Sequence, residues 1–75
     1  MSGINIRVRP DPCLSEQNRR MFIRIMKRTM EGLGITVYPQ DGKGHFTLCS
    51  SGNVEITEYD LLRTLGNLNF ETVSS

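Results

Sequence analysis

Residue types that carry nucleophilic or acid–base catalysis are scarce in this chain of 75 residues, which has one histidine, His45, and two cysteines, Cys13 and Cys49. A nucleophile needs its base within hydrogen-bonding reach. His45 and Cys49 share a face of a predicted strand, but four strand residues span about 13 Å. We therefore expect no enzymatic activity, and we interpret His45 as a solvated residue beside a turn. Cys13 is interpreted as a small, partly buried apolar residue.

Metal and phosphate sites are not predicted either. Zinc ligands come in closely spaced cysteine and histidine pairs, which this sequence lacks. The carboxylates of residues 55–60 crowd a predicted helix N-terminus, where the helix dipole accounts for them. A P-loop needs its lysine at a helix start, whereas Gly42–Gly44 is a predicted hairpin turn and Gly32–Gly34 follows a helix. We expect no cofactor and no metal.

The strongest candidate for a binding site is a row of cations on an amphipathic helix predicted from Ser15 to Leu33. Arginine favours bidentate contacts with carboxylate or phosphate, and like charges along one stripe repel one another. Glu16 and Glu31 ease this repulsion, so a merely solvated face is the alternative interpretation. The predicted partner-binding residues are Arg20, Arg24, Lys27 and Arg28.

Charge is distributed unevenly along the chain. Residues 1–30 carry seven Lys and Arg against two Asp and Glu, a balance of +5, while residues 31–75 carry two against six, a balance of −4. The halves give the net charge of +1, and the pI is about 7.8. Nucleic-acid-binding domains are usually more basic, with a pI above about 9. Composition thus favours a protein partner, with nucleic acid as the alternative.

The elements that position these cations follow from apolar periodicity. Alternating isoleucines and a valine predict a first strand over residues 4–8, stopped by Pro10 and Pro12. Ser15 is a good N-cap for the helix, and Gly32 and Gly34 suit its exit. The inward face of that helix is predicted to hold Phe22, Met26, Met30 and Leu33.

A hairpin and a second helix follow in the sequence. Residues 35–38 and 45–49 alternate as strands around a turn at 41–44, and Pro39 places the first of them at a sheet edge. After a break at 51–53, Thr57 and Asp60 resemble a capping box, with Ile56 and Leu61 as its hydrophobic staple. The apolar face of this helix is predicted to contain Leu61, Leu62, Leu65 and Leu68, with Gly66 and Asn67 at its end.

A fourth strand is predicted over residues 69–73, although its alternation is imperfect. The order strand–helix–strand–strand–helix–strand is that of the split βαβ, or ferredoxin-like, arrangement. We therefore predict a single α+β domain over residues 1–75, with two helices on one face of a four-stranded antiparallel sheet. A three-stranded α+β domain with a loose C-terminal tail is the alternative.

The predicted open sheet face offers a second, weaker binding surface. Arg7 and Arg9 point away from the helices and form the alternative binding face. The RNA-recognition motif uses this topology but stacks bases on aromatic residues of its central strands. Such aromatics are missing from the outward positions here, which are Asn5, Arg7, Arg9, His45, Thr47 and Cys49. No family resemblance beyond topology follows.

The leading hypothesis is a small non-enzymatic protein that docks on the acidic surface of a larger protein through the helix cations. Such a protein suits a regulator or inhibitor of phage type. The alternative function is a nucleic-acid-binding module using the same arginines, and a homodimer through the open sheet or the Pro39 edge is a further alternative. With neither an apolar export segment nor an apolar run of about 18 residues, the expected location is cytoplasmic, without a membrane partner.

Overall fold

A computed structural model of the chain describes residues 3–50, 52 and 54–73. They form a four-stranded antiparallel sheet and two helices, a small compact α+β domain consistent with the ferredoxin-like arrangement. The predicted fold class is confirmed. In chain order, the elements are β1 (Ile4–Pro10), α1 (Glu16–Gly32), β2 (Thr36–Tyr38), β3 (Phe46–Ser50), α2 (Glu58–Asn67) and β4 (Phe70–Thr72).

The sheet order is β2-β3-β1-β4, with every neighbouring pair antiparallel. The prediction that the strand before Pro39 lies at an edge is confirmed. The fourth strand forms as well: β4 pairs with β1, with Val8 opposite Thr72 and Pro10 opposite Phe70. The three-stranded alternative is therefore wrong. Parts of the predicted break, Ser51 and Asn53, lie outside the described residues.

Both helices begin at the predicted caps. The Ser15 hydroxyl accepts a hydrogen bond from the Asn18 backbone N–H (3.2 Å), and the Thr57 hydroxyl accepts one from the Asp60 N–H (3.1 Å). These bonds satisfy donors that a helix N-terminus leaves free. After α1 the chain turns through Gly34, which has a φ of 79°, a conformation open to glycine.

The core lies between the sheet and the two helices. Its buried members come from both helices, from three of the strands and from the residue before β2: Val8, Met26, Met30, Ile35, Phe46, Leu48, Leu61, Leu65 and Phe70. Phe22 and Leu33 are half-buried and pack against this cluster, so the predicted inward face of α1 is confirmed. Phe46 and Phe70 meet edge to face, with ring centroids 6.2 Å apart.

Leu62 is a correction to the predicted core. It was expected on the apolar face of α2, but its side chain is 38 % exposed. Leu61 and Leu65 are buried, and Leu68 is half-buried. On a helix with 3.6 residues per turn, Leu62 lies about 100° from Leu61, which is outside the narrow stripe that reaches the sheet.

The rotation of α1 can be tested with two methionines of the same helix. Met26 is fully buried and Met21 is 46 % exposed. Truncating a buried methionine removes apolar contacts and leaves a cavity, so Met26→Ala should lower the free energy of unfolding by about 2–5 kcal/mol. Met21→Ala should change it by less than about 0.5 kcal/mol. Urea denaturation followed by circular dichroism measures both, and equal losses would contradict the described rotation.

Candidate binding site

All four predicted partner-binding residues lie on the outer side of α1 and are exposed. They differ in their contacts within the molecule. The Arg20 guanidinium pairs with the Glu16 carboxylate one turn earlier (3.0 Å), with both side chains largely in solvent. Exposed pairs at this spacing contribute only about 0.3–0.5 kcal/mol. The Glu16 carboxylate therefore holds Arg20 only weakly.

Lys27 is partly engaged by the core. Its ammonium nitrogen lies 5.8 Å from the centroid of the Phe46 ring. A cation at this distance over an aromatic face is attracted by the ring quadrupole, which is worth about 0.5–1 kcal/mol at an exposed site. Lys27 therefore lies at the margin of the cationic face, beside the buried cluster.

Of the four predicted residues, Arg24 and Arg28 have no ion pair or aromatic contact among the residues that the structure describes. Among residues 3–50, 52 and 54–73, no carboxylate lies within 4 Å of either guanidinium. They are one helical turn apart, and both side chains are exposed. The four predicted residues thus divide into an ion-paired Arg20, an aromatic-bound Lys27, and two guanidinium groups open to solvent.

Two exposed apolar residues adjoin these arginines, and the sequence interpretation did not single them out. Met21 is 46 % exposed and Ile25 is 38 % exposed. They lie one turn apart on α1, beside Arg24 and Arg28 and away from the buried methionines. Their exposure could have been predicted from the helical wheel, because both residues fall outside the stripe centred on Met26. We call Met21, Arg24, Ile25 and Arg28 the docking face.

The alternative binding face on the sheet is occupied by ion pairs within the molecule. The Arg7 guanidinium donates to the Asp41 carboxylate (2.6 Å), and the Arg9 Nε donates to the Glu71 carboxylate (2.5 Å). The second contact follows from the register, which sets Arg9 opposite Glu71. Both carboxylates come from the acidic half of the chain. A nucleic acid would have to displace them before it could contact these arginines.

His45 is a correction to the sequence interpretation. It is half-buried, and its Nδ1 lies 3.1 Å from a guanidinium nitrogen of Arg7. Because a guanidinium only donates, Nδ1 accepts this hydrogen bond. The solvated residue predicted beside the turn is instead part of a polar cluster with Arg7 and Asp41, which anchors the β2–β3 hairpin to β1.

Asp41 is the centre of that cluster. One carboxylate oxygen accepts the backbone N–H groups of His45 and Lys43, and the other accepts the Arg7 guanidinium. These hydrogen bonds favour the ionised carboxylate, those from the backbone of His45 and Lys43 most, and lower the pKa of Asp41 to about 2. The role of Asp41 is therefore to hold the hairpin loop.

The cysteines do not form a reactive site with these groups. Cys13 is exposed, so its interpretation as a partly buried residue is wrong. The reason is its place in the loop before α1, where its N–H donates to the Asp11 side chain. Cys49 is half-buried on the open sheet face. Within the described ranges, no three His, Cys, Asp or Glu side chains gather in a way that would hold a metal ion.

Comparisons of the chain with protein-family models, curated proteins and solved structures found no match. Neither α1 nor α2, the helices in the described part of the chain, has the length and apolarity needed to cross a membrane. The function must therefore be argued from the side chains themselves.

Acid should weaken the hairpin through Asp41. Its folded pKa is about 2, below the ordinary value of 3.8, so its contribution to stability is present above pH 4 and is lost as pH falls towards 2. Asp41→Asn should lower the urea concentration at the midpoint of unfolding at pH 7. Between pH 4 and pH 2 this midpoint should fall less in the variant than in the unmodified protein. Glu55→Gln, which removes an exposed carboxylate outside this cluster, is the matched control and should leave the acid profile unchanged. An unchanged acid profile in Asp41→Asn would contradict this role.

Proposed function

We propose that this chain is a small non-enzymatic binding protein that docks on an acidic surface of a larger protein through the outer side of α1. Arg24 and Arg28 make the central contacts, with Arg20 and Lys27 beside them. The observation that carries the proposal is a contrast between the arginines. Both strand arginines, Arg7 and Arg9, are ion-paired with carboxylates of the second half of the chain, whereas the docking face keeps two exposed guanidiniums without such partners among the described residues.

The helix makes these guanidiniums effective for recognition. Capping by Ser15 and burial of Met26 and Met30 fix the backbone that presents them. A guanidinium and a carboxylate form short, charge-assisted hydrogen bonds, often two at once. Because neither arginine is ion-paired with a carboxylate of the residues that the structure describes, its attraction is available to the partner.

The docking face favours a protein over a nucleic acid. Met21 and Ile25 offer apolar surface beside the cations. Phosphate groups bind the cations but gain nothing from contact with this apolar surface. Methionine and arginine are both enriched in protein interfaces. An acidic protein surface with apolar side chains fits all of these groups.

A protein of this kind acts by binding to and covering a surface of its partner. In our proposal it regulates or inhibits its partner by covering an acidic surface, and it needs no catalytic group of its own. The features of the chain that support this are the cationic helix and the structural contact of its one histidine, which accepts a hydrogen bond from Arg7.

Charge reversal on α1 tests the proposal. A pull-down from the native host with mass spectrometry supplies the partner, and calorimetry with purified proteins then measures affinity. Arg24→Glu with Arg28→Glu should weaken binding at least about 100-fold, because two attractions become repulsions. Lys43→Glu with Arg63→Glu changes the net charge equally at exposed cations elsewhere, and it should change affinity less than about threefold.

Two results would contradict the proposal. One is unchanged partner affinity in the α1 double variant while circular dichroism shows the native helix content. The other is equal loss in both double variants, which would assign the effect to net charge. Duplex DNA measured at two salt concentrations tests the alternative function, and tight binding that collapses with salt would replace our proposal.

A further inference from the structure

We propose that the occupant of the docking face is an acidic amphipathic α-helix of the partner protein. Its apolar side chains pack on Met21 and Ile25, and its carboxylates bind Arg24 and Arg28. This inference rests on the proposed function and specifies the partner surface that the same site recognises.

The spacing of the exposed residues is the first argument. Asn18, Met21, Ile25 and Arg28 are separated by three, four and three residues, so they form one stripe along the outside of α1. This is the spacing of the contact positions in helix–helix packing. Arg24, directly before Ile25, lies at the margin of the stripe, where interhelical ion pairs form. The 17-residue helix offers about 25 Å of length to a partner helix.

Charge complementarity is the second argument, because it disfavours the other helical occupant, a second copy of this chain. Packing two copies through this stripe would bring guanidinium groups of both molecules to one seam, where like charges repel. A helix with glutamates or aspartates one turn apart places its carboxylates at the same interval as Arg24 and Arg28. The docking face therefore selects a partner of opposite charge.

The small apolar area is the third argument. Met21 and Ile25 are the exposed large apolar residues on the described surface of α1, and both are less than half exposed. Two such side chains are too few to hold a partner by burial alone, and they are equally few for insertion into a membrane surface. Binding therefore requires both apolar contact and ion pairs, which an amphipathic acidic helix supplies and a uniformly acidic segment does not.

Three synthetic peptides of equal length and net charge test this occupant. The first has leucines at helical spacing on one face and glutamates elsewhere. The second has the same composition, with the leucines spread around the helix. The third replaces the leucines with alanines. Fluorescence polarisation measures affinity, and amide chemical shifts locate the site. The first peptide should bind at least about tenfold more tightly than either other peptide, with shifts centred on residues 18–28.

Two matched double variants test whether the leucines of the first peptide contact Met21 and Ile25. Met21→Gln with Ile25→Gln keeps residues compatible with a helix and should weaken the first peptide about tenfold, with little effect on the alanine peptide. Tyr59→Gln with Leu62→Gln removes exposed apolar residues from α2 and should leave both affinities unchanged.

The outcomes separate this inference from the proposed function. If all three peptides bind equally and Arg24→Glu with Arg28→Glu abolishes their binding, the acidic docking function stands and the amphipathic occupant is wrong. If the first peptide binds tightly but its affinity is unchanged in Met21→Gln with Ile25→Gln, the apolar contact is wrong. If no peptide binds, the helical occupant is wrong, while the affinity of the host partner still decides the proposed function.

Discussion

The structure depends on the burial of one side of α1 against the sheet. Met26 and Met30 are fully buried among residues from β1, β3 and α2, and this contact fixes the rotation of the helix. Because a helix has one angular setting, the side chains opposite the methionines must face solvent. The position of Arg24 and Arg28 is therefore a consequence of packing. The packed backbone of α1 therefore fixes where their side chains begin.

The arginines of this chain perform two physically different tasks. Those on β1 bind carboxylates that the hairpin loop and β4 bring to them, so they hold distant parts of the chain together. On α1, Arg20 pairs with Glu16 of the same helix, while Arg24 and Arg28 have no ion pair among the described residues. The charge asymmetry between the two halves is thus partly neutralised across the sheet and partly left on the helix. Exposed cations and internal neutralisation are therefore both present.

Periodicity and capping residues were enough to predict the first five elements, because each shows one clear period and is bounded by a proline, a glycine or a cap. The last strand, whose alternation is imperfect, was predicted with a three-stranded domain as its alternative. Sequence reasoning failed where three-dimensional neighbours decide. The contact of His45 with Arg7 depends on how the hairpin loop returns to β1, and the position of Lys27 over Phe46 depends on how α1 lies on β3. The exposure of Leu62 depends on the width of the core. The exposure of Met21 and Ile25 follows from the helical wheel, but only after the buried side of α1 has been located.

The central claim is that the guanidiniums of Arg24 and Arg28 have no ion-pair partner among residues 3–50, 52 and 54–73, whereas that of Arg9 does. Nitrogen-15 relaxation of the arginine Nε groups tests this most directly, because an ion-paired side chain is held rigid and a solvated one samples many rotamers. The account predicts a high order parameter for Arg9, whose Nε binds Glu71, and values below about 0.6 for Arg24 and Arg28. Order parameters for Arg24 and Arg28 as high as that of Arg9 would contradict the account, since they would show that these cations are already bound within the chain.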